Sequence, residues 1–222
     1  MDSKPVISVR GEARLEVEPE VAVVSVTVMA QDKDRRHALD LLAGRTRAVA
    51  ELVKGYGEAV EKLESGPASV HPVFKDGKIR ERVTGYVARA GFSVTVGDFA
   101  VLGELVPRLG AEEMVAVTGP AWRLRPDSHA YRQVRLAAAA DATQRARDYA
   151  EAFGGTVTGL VEVADTGLLS EGEVGAASFH AAALAGATAE PELPEFDFEP
   201  ARQTVHAHVE ARFTMTAPQF GE

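Results

Sequence analysis

The segment ISVRGEARLEVEPEVAVVSVTV, residues 7 to 28, constrains the fold more than any other part of the chain. Arg10, Glu12, Arg14, Glu16 and Glu18 take every second position, with Ile7, Val9, Gly11, Ala13, Leu15 and Val17 between them. A period of two sends the charges to one side of an extended backbone and the apolar groups to the other, which defines a half-buried strand. Pro19 interrupts the ladder, and VAVVSVTV follows as a second, more apolar strand. Glu12, Glu16 and Glu18 alternate with Arg10 and Arg14, a pattern that suits ion pairs across a wet sheet face rather than a reactive carboxylate cluster.

Two later segments switch to helical spacing. In QDKDRRHALDLLAGRTRAVAELVKGYG, Ala38, Leu41, Leu42, Val49, Leu52, Val53 and Tyr56 recur at three and four. Asp32 or Asp34 caps its start, and Gly55 and Gly57 supply the stop. In SHAYRQVRLAAAADATQRARDYAEAFGG the cap is Asp127 or Ser128 and the stop Gly154-Gly155. Its expected inner stripe is Tyr131, Val134, Ala138, Ala142, Ala146, Tyr149 and Phe153, and the alanines from 137 to 140 let the helix axis sit low on a sheet. Between the helices lie a hairpin turning at Asp76-Gly77, the strand YVARAGFSVTV closed by Gly97-Asp98, and a short helix made irregular by Pro107. MVAVTGPAWRLRPD then reads as a strand with a bulge at Gly119-Pro120. After the second helix come the strand TVTGLVEVADTG, a long loop, and the strand TVHAHVEARFTM, which is expected to return to an earlier strand, the first being the candidate.

Composition closes off several function classes. A chain of 222 residues buries about 70% of its unfolded surface, enough for one large domain or two small ones. It has no cysteine, so disulfides, thiolate metal sites and cysteine nucleophiles are excluded. Lack of cysteine suits a reducing compartment, and the opening MDSKPVISVR has no apolar leader core. A leaderless, cytoplasmic protein is therefore expected. No apolar run approaches the ~18 residues of a membrane span. Of the net charge of −9, residues 168 to 200 carry −7, through Glu171, Glu173, Glu190, Glu192, Glu195, Asp197 and Glu199 with no Lys or Arg. The remainder is near neutral and has no basic stripe with aromatics, which argues against nucleic-acid binding.

Candidate chemistry is sparse. No phosphate-binding or dinucleotide loop occurs, and GFSVTVGD lacks the strand–elbow–helix context of a serine hydrolase. His206 and His208 stand two apart in a strand and so share a face, half of a zinc site, but sequence supplies no third ligand and exposed strand histidines are the simpler reading. His71, before Pro72, has no recognisable partner. Trp122, with Arg123 and Arg125, is either a binding patch or a partly buried tryptophan at a subdomain seam. Phe196 and Phe198, set among Glu195, Asp197 and Glu199, resemble a linear motif that docks in a partner's groove, and Phe179 and Leu184 could act similarly. The plainer reading makes the whole acidic loop a solvated tether.

The residues also carry a family likeness. Gly11, with Ala13 in place of a second glycine, and Pro19-Glu20 in place of a proline–aspartate pair resemble the opening of the SIMPL-domain family of periplasmic-immunogen-like proteins. His71-Pro72-Val73-Phe74, Gly85-Tyr86 and the alanine-rich helix ending at Gly154-Gly155 continue the likeness over about residues 5 to 167, and the last strand fits too. The resemblance implies two α+β subdomains, one ferredoxin-like, the first completed by the C-terminal strand. It also implies self-association, in some members as large rings, and often a periplasmic or secreted location. It brings no enzymatic activity and no catalytic residues.

Together these readings predict an α+β protein with antiparallel sheets packed against two long helices in two interlocked subdomains. Residues 5–97 with 203–218 form the first, 98–167 a ferredoxin-like second, and 168–202 an acidic flexible loop. The expected function is non-catalytic: self-association into a homo-oligomer or binding of a protein partner, without cofactor, metal, nucleic acid or membrane span. Phe196, Phe198 and Trp122 are the candidate contact residues. The alternative is a small-molecule binder or enzyme with a pocket between the subdomains, near Trp122 and Tyr131.

Overall fold

The computed structural model describes residues 5–75, 82–165 and 196–218. The Asp76-Gly77 turn, Phe179, Leu184 and most of the acidic segment lie outside the described residues. In chain order the elements are β1 (Val6–Val17), β2 (Val21–Asp32), α1 (Arg35–Lys54), β3 (Val60–Lys75), β4 (Arg82–Val96), α2 (Leu102–Gly110), β5 (Val115–Arg123), α3 (His129–Ala152), β6 (Val157–Asp165) and β7 (Gln203–Met215). They form two antiparallel sheets, ordered β1-β7-β6 and β3-β4-β2-β5. The class is α+β, as the alternation of periods predicts.

The chain divides into two compact units, with boundaries after Val17 and after Arg125. One unit holds β1, α3, β6 and β7. The other holds β2, α1, β3, β4, α2 and β5, joined by residues 196–202. This differs from the expected division after residue 97. The reason is strand pairing: β2 bonds to β4 and β5 and not to β1, so Pro19 separates two sheets rather than two neighbours in one sheet.

In the first unit, β7 returns to β1 as expected, in unbroken register from Val6↔Thr214 to Val17↔Gln203. The charged row of β1 stays on the exposed face and pairs across the strands, with Arg10 bonded to Glu210 at 2.9 Å. The apolar row meets α3 through Ala130, Val134, Ala138, Ala142, Ala146 and Ala150, all buried. Tyr149 and Phe153, expected on that stripe, are half-exposed instead. The contact row follows a strict spacing of four, the ridge along which a helix lies across a twisted sheet, and neither aromatic falls on it.

In the second unit the buried row of β2, Ala22, Val24, Val26, Val28 and Ala30, meets Ala38, Leu42, Val49 and Val53 of α1. Asp34 caps α1 by accepting from the His37 backbone N–H at 2.9 Å. Leu102, Leu105 and Leu109 of α2 are fully buried, each contributing on the order of 2 kcal/mol. Those anchors carry α2 as a regular helix through Pro107 to Gly110, contrary to the expected irregularity. The bulge in β5 falls where expected: Val23↔Ala121 and Ser25↔Thr118 leave Gly119-Pro120 looped out. Gly119 there has φ +122°, which a side chain would strain.

Candidate functional site

Trp122, Phe196 and Phe198 all lie in the second unit. Trp122 sits half-buried on β5, edge-on to Phe99 with ring centroids 4.9 Å apart, and both pack on the main core. The guanidinium of Arg125 bonds to Glu61. Tyr131, named beside Trp122 as a pocket residue, belongs to α3 in the first unit.

Phe198 is half-buried against the core of its own chain, and Phe196 lies 5.8 Å from it, half-exposed. The segment can run close over α2 because residue 103 is glycine; a Cβ there would stand 3.0 Å from the Phe196 carbonyl oxygen. Between Phe99, Gly103 and Glu104 on one side and Phe196, Phe198 and Pro200 on the other lies a groove of about 720 Å³.

Glu104, at the rim of this groove, is already engaged. The Tyr56 hydroxyl donates to Glu104 at 3.1 Å, and Arg108 donates to Glu104 at 2.8 Å and to the Tyr56 oxygen at 3.2 Å. The guanidinium also lies 5.6 Å from the Tyr56 ring centroid. The Arg108 hydrogen bond, with that of Tyr56, holds the Glu104 carboxyl below the usual glutamate range. Burial pushes the Tyr56 phenol above the usual tyrosine value. Tyr56, Glu104 and Arg108 thus brace the end of α1 against α2.

His206 and His208 share the exposed face of β7, opposite Arg14 and Glu12 in the ladder. The imidazole of His208 is 3.8 Å from the Glu12 carboxylate. Among the described residues no group of three or more His, Cys, Asp or Glu is placed to hold a metal ion. Nor, among them, is any helix long and apolar enough to cross a membrane.

Sequence reasoning missed the apolar strip on β6. Leu160, Val161 and Val163 are 58%, 54% and 56% exposed. Leu160 and Val163 stand opposite Phe213 and Ala211, so they share the face on which α3 covers β7, yet remain in solvent. Val161 falls at a register shift between Leu160 and Glu162, which places it outside the regular alternation. The available signal was the neighbouring pair Leu160-Val161, since one strand cannot bury two adjacent residues on the same face. The other edge of this sheet is protected: β1 carries alternating charges, and its Glu12 N–H donates to Asp141 of α3 at 2.9 Å.

The fold and these surfaces define a small α+β protein of two antiparallel sheets, with helix-covered cores and an exposed apolar strip on β6. The family model for SIMPL, described as a protein of unknown function (DUF541), matches residues 7–213, and this chain belongs to that family. It is also similar to the 26 kDa periplasmic immunogenic proteins of Brucella melitensis biotype 1 and Brucella abortus strain S19. Each is 24% identical over 169 residues, which is 72% of this chain and 66% of the relative.

Proposed function

We propose that this SIMPL-family chain is non-catalytic and works by associating with copies of itself, with protein partners as the second class of ligand. The observation that carries the reading is the β6 strip. Three aliphatic side chains on one short edge strand, each more than half in water, leave apolar area that association would bury. Two register shifts along β6 make it a poor template for a continuous added strand. The contact is therefore one of side-chain burial rather than ladder extension.

The test is sedimentation velocity on the wild type and on Leu160→Lys with Val163→Lys. Both positions are exposed, so the melting temperature should stay within a few degrees while association weakens at least tenfold. Unchanged association in the double variant would remove β6 from the reading. Location is a separate matter: the reading of this chain as cytoplasmic stands against relatives named for the periplasm. Fractionation of the native host decides between them.

A further inference from the structure

We infer that residues 196–200 are an intramolecular ligand of the groove on α2, and that this groove takes the same segment from a second copy by exchange. The inference rests on the self-association reading above and names a contact distinct from β6.

The segment is seated without belonging to an element. Residues 196–200 join neither a helix nor a strand. Among them only Phe198 is half-buried, while Phe196, Asp197, Glu199 and Pro200 are exposed. One ring therefore anchors the segment, packed on the core that includes Leu102 and Leu105. A stretch with one anchor and no ladder lies at the low end of local stability, and it opens more readily than the sheets do.

The groove is shaped for this sequence. Gly103 admits the backbone, since a Cβ there would meet the Phe196 carbonyl oxygen at 3.0 Å. Glu199 precedes Pro200, and the residue before a proline is biased to extended backbone, so part of the bound shape is set by the chain itself. Release uncovers apolar surface. Phe99 lines the groove and meets Trp122 edge-on, and both lose cover when Phe198 leaves the core they share.

The segment and its groove lie in one unit, and every copy carries both. Exchange replaces each contact by an identical one and needs no new complementarity, which makes swapping an element a low-cost route to a dimer. The pivot falls at Pro200-Ala201, because Arg202 just beyond is tied to Glu18 at 2.7 Å. Two copies that each lend and receive the segment form a closed two-fold pair. A tethered ligand has an effective concentration of about millimolar, so the intact chain favours its own segment and exchange grows with concentration.

The test runs in the Leu160→Lys, Val163→Lys background, which removes the β6 contact. Gly103→Leu blocks the groove, and Phe196→Ser with Phe198→Ser disables the segment. A labelled peptide of residues 196–202, read by anisotropy, should bind the double-serine chain at least about tenfold tighter than the chain with its own segment intact, and should not bind Gly103→Leu. Binding should also shift the emission of Trp122, the one tryptophan of the chain. Mixing the double-serine and Gly103→Leu chains should give a species of twice 23.6 kDa in sedimentation velocity that neither forms alone. Equal peptide binding to all three chains, or binding to none, overturns the inference. Peptide binding without a mixed dimer overturns the second copy as occupant. If the double-serine chain does not unfold cooperatively, Phe198→Leu, which keeps an apolar anchor, replaces it and must give the same order of affinities. A mixed dimer alongside unchanged association of the β6 double variant means that the β6 reading fails and the exchange stands. Weakened association of that variant without a mixed dimer means that the exchange alone fails.

Discussion

Gly11 on β1 lies directly against Ala142 on α3, so closely that a Cβ at residue 11 would stand 2.6 Å from the Ala142 Cβ and overlap the Ala138 carbonyl. This approach fixes the depth at which α3 rests on its sheet. It explains why an almost unbroken alanine row, rather than leucine, forms the inner side of a 24-residue helix. The layer is held by backbone proximity, and each added methyl has nowhere to go.

Ala138→Leu should therefore destabilise the first unit by about 1–3 kcal/mol, and Gly11→Ala by a similar amount. Leu at Arg147, an exposed position of the same helix, should change stability by less than about 0.5 kcal/mol. Thermal or denaturant unfolding of the three variants checks the order.

The start of α1 offers a local test in the second unit. Asp34 accepts from the His37 N–H, and Asp32 accepts from the Asp34 N–H at 2.8 Å and from the His37 ring at 2.9 Å. The Asp34 N–H, then the His37 ring, hold the Asp32 carboxyl below the usual aspartate range. Asp34→Ala should cost about 1 kcal/mol, whereas Asp34→Asn, which keeps an acceptor, should cost only a few tenths. Urea unfolding of both variants distinguishes a lost cap from a lost charge.

Across pH, the Tyr56–Glu104–Arg108 brace should show opposite signs at its two ends. The folded-state pKa of Glu104 is depressed, so its stabilisation is present above the ordinary value of 4.5 and is lost as pH falls through the lowered one. The folded-state pKa of Tyr56 is raised, so its contribution is present below the ordinary value of 10.0 and is lost as pH rises through the raised one. Glu104→Gln should flatten the acid limb of stability against pH, and Tyr56→Phe the alkaline limb. The reverse assignment of limbs would contradict the brace.

The paired histidines of β7 make a chemical prediction. His206 and His208 stand opposite Arg14 and Glu12, and among the described residues no group of three metal-binding side chains gathers there, so zinc should give no thermal shift beyond that of His206→Ala, and elemental analysis of the purified protein should find no stoichiometric metal. Stoichiometric zinc that leaves on His208→Ala would contradict this.

Much of the fold was legible because period and chemistry agree. The alternating row from Arg10 to Glu16 became the exposed face of β1, the aspartates before residue 35 became the cap of α1, and Gly119-Pro120 became the bulge of β5. The sheet to which each strand belongs was not legible: nothing local to Ala22 states that it will pair with Trp122 and Val96 rather than with β1. The site suffered more. Phe198 looked like a free motif among acids, but its ring rests on the core of its own chain, because a contact with α2, about a hundred residues earlier, has no local signature. The exposure of Leu160, Val161 and Val163 was hidden for the same reason, since composition cannot tell which strand a helix will leave uncovered.

The central claim is that exposed apolar groups of this scaffold serve to join copies of the chain. Light scattering coupled to size exclusion, run from low to high micromolar concentration, tests it most directly. A mass at a multiple of 23.6 kDa that falls on dilution or in the β6 double variant is the predicted result. A constant 23.6 kDa across the whole range would contradict it.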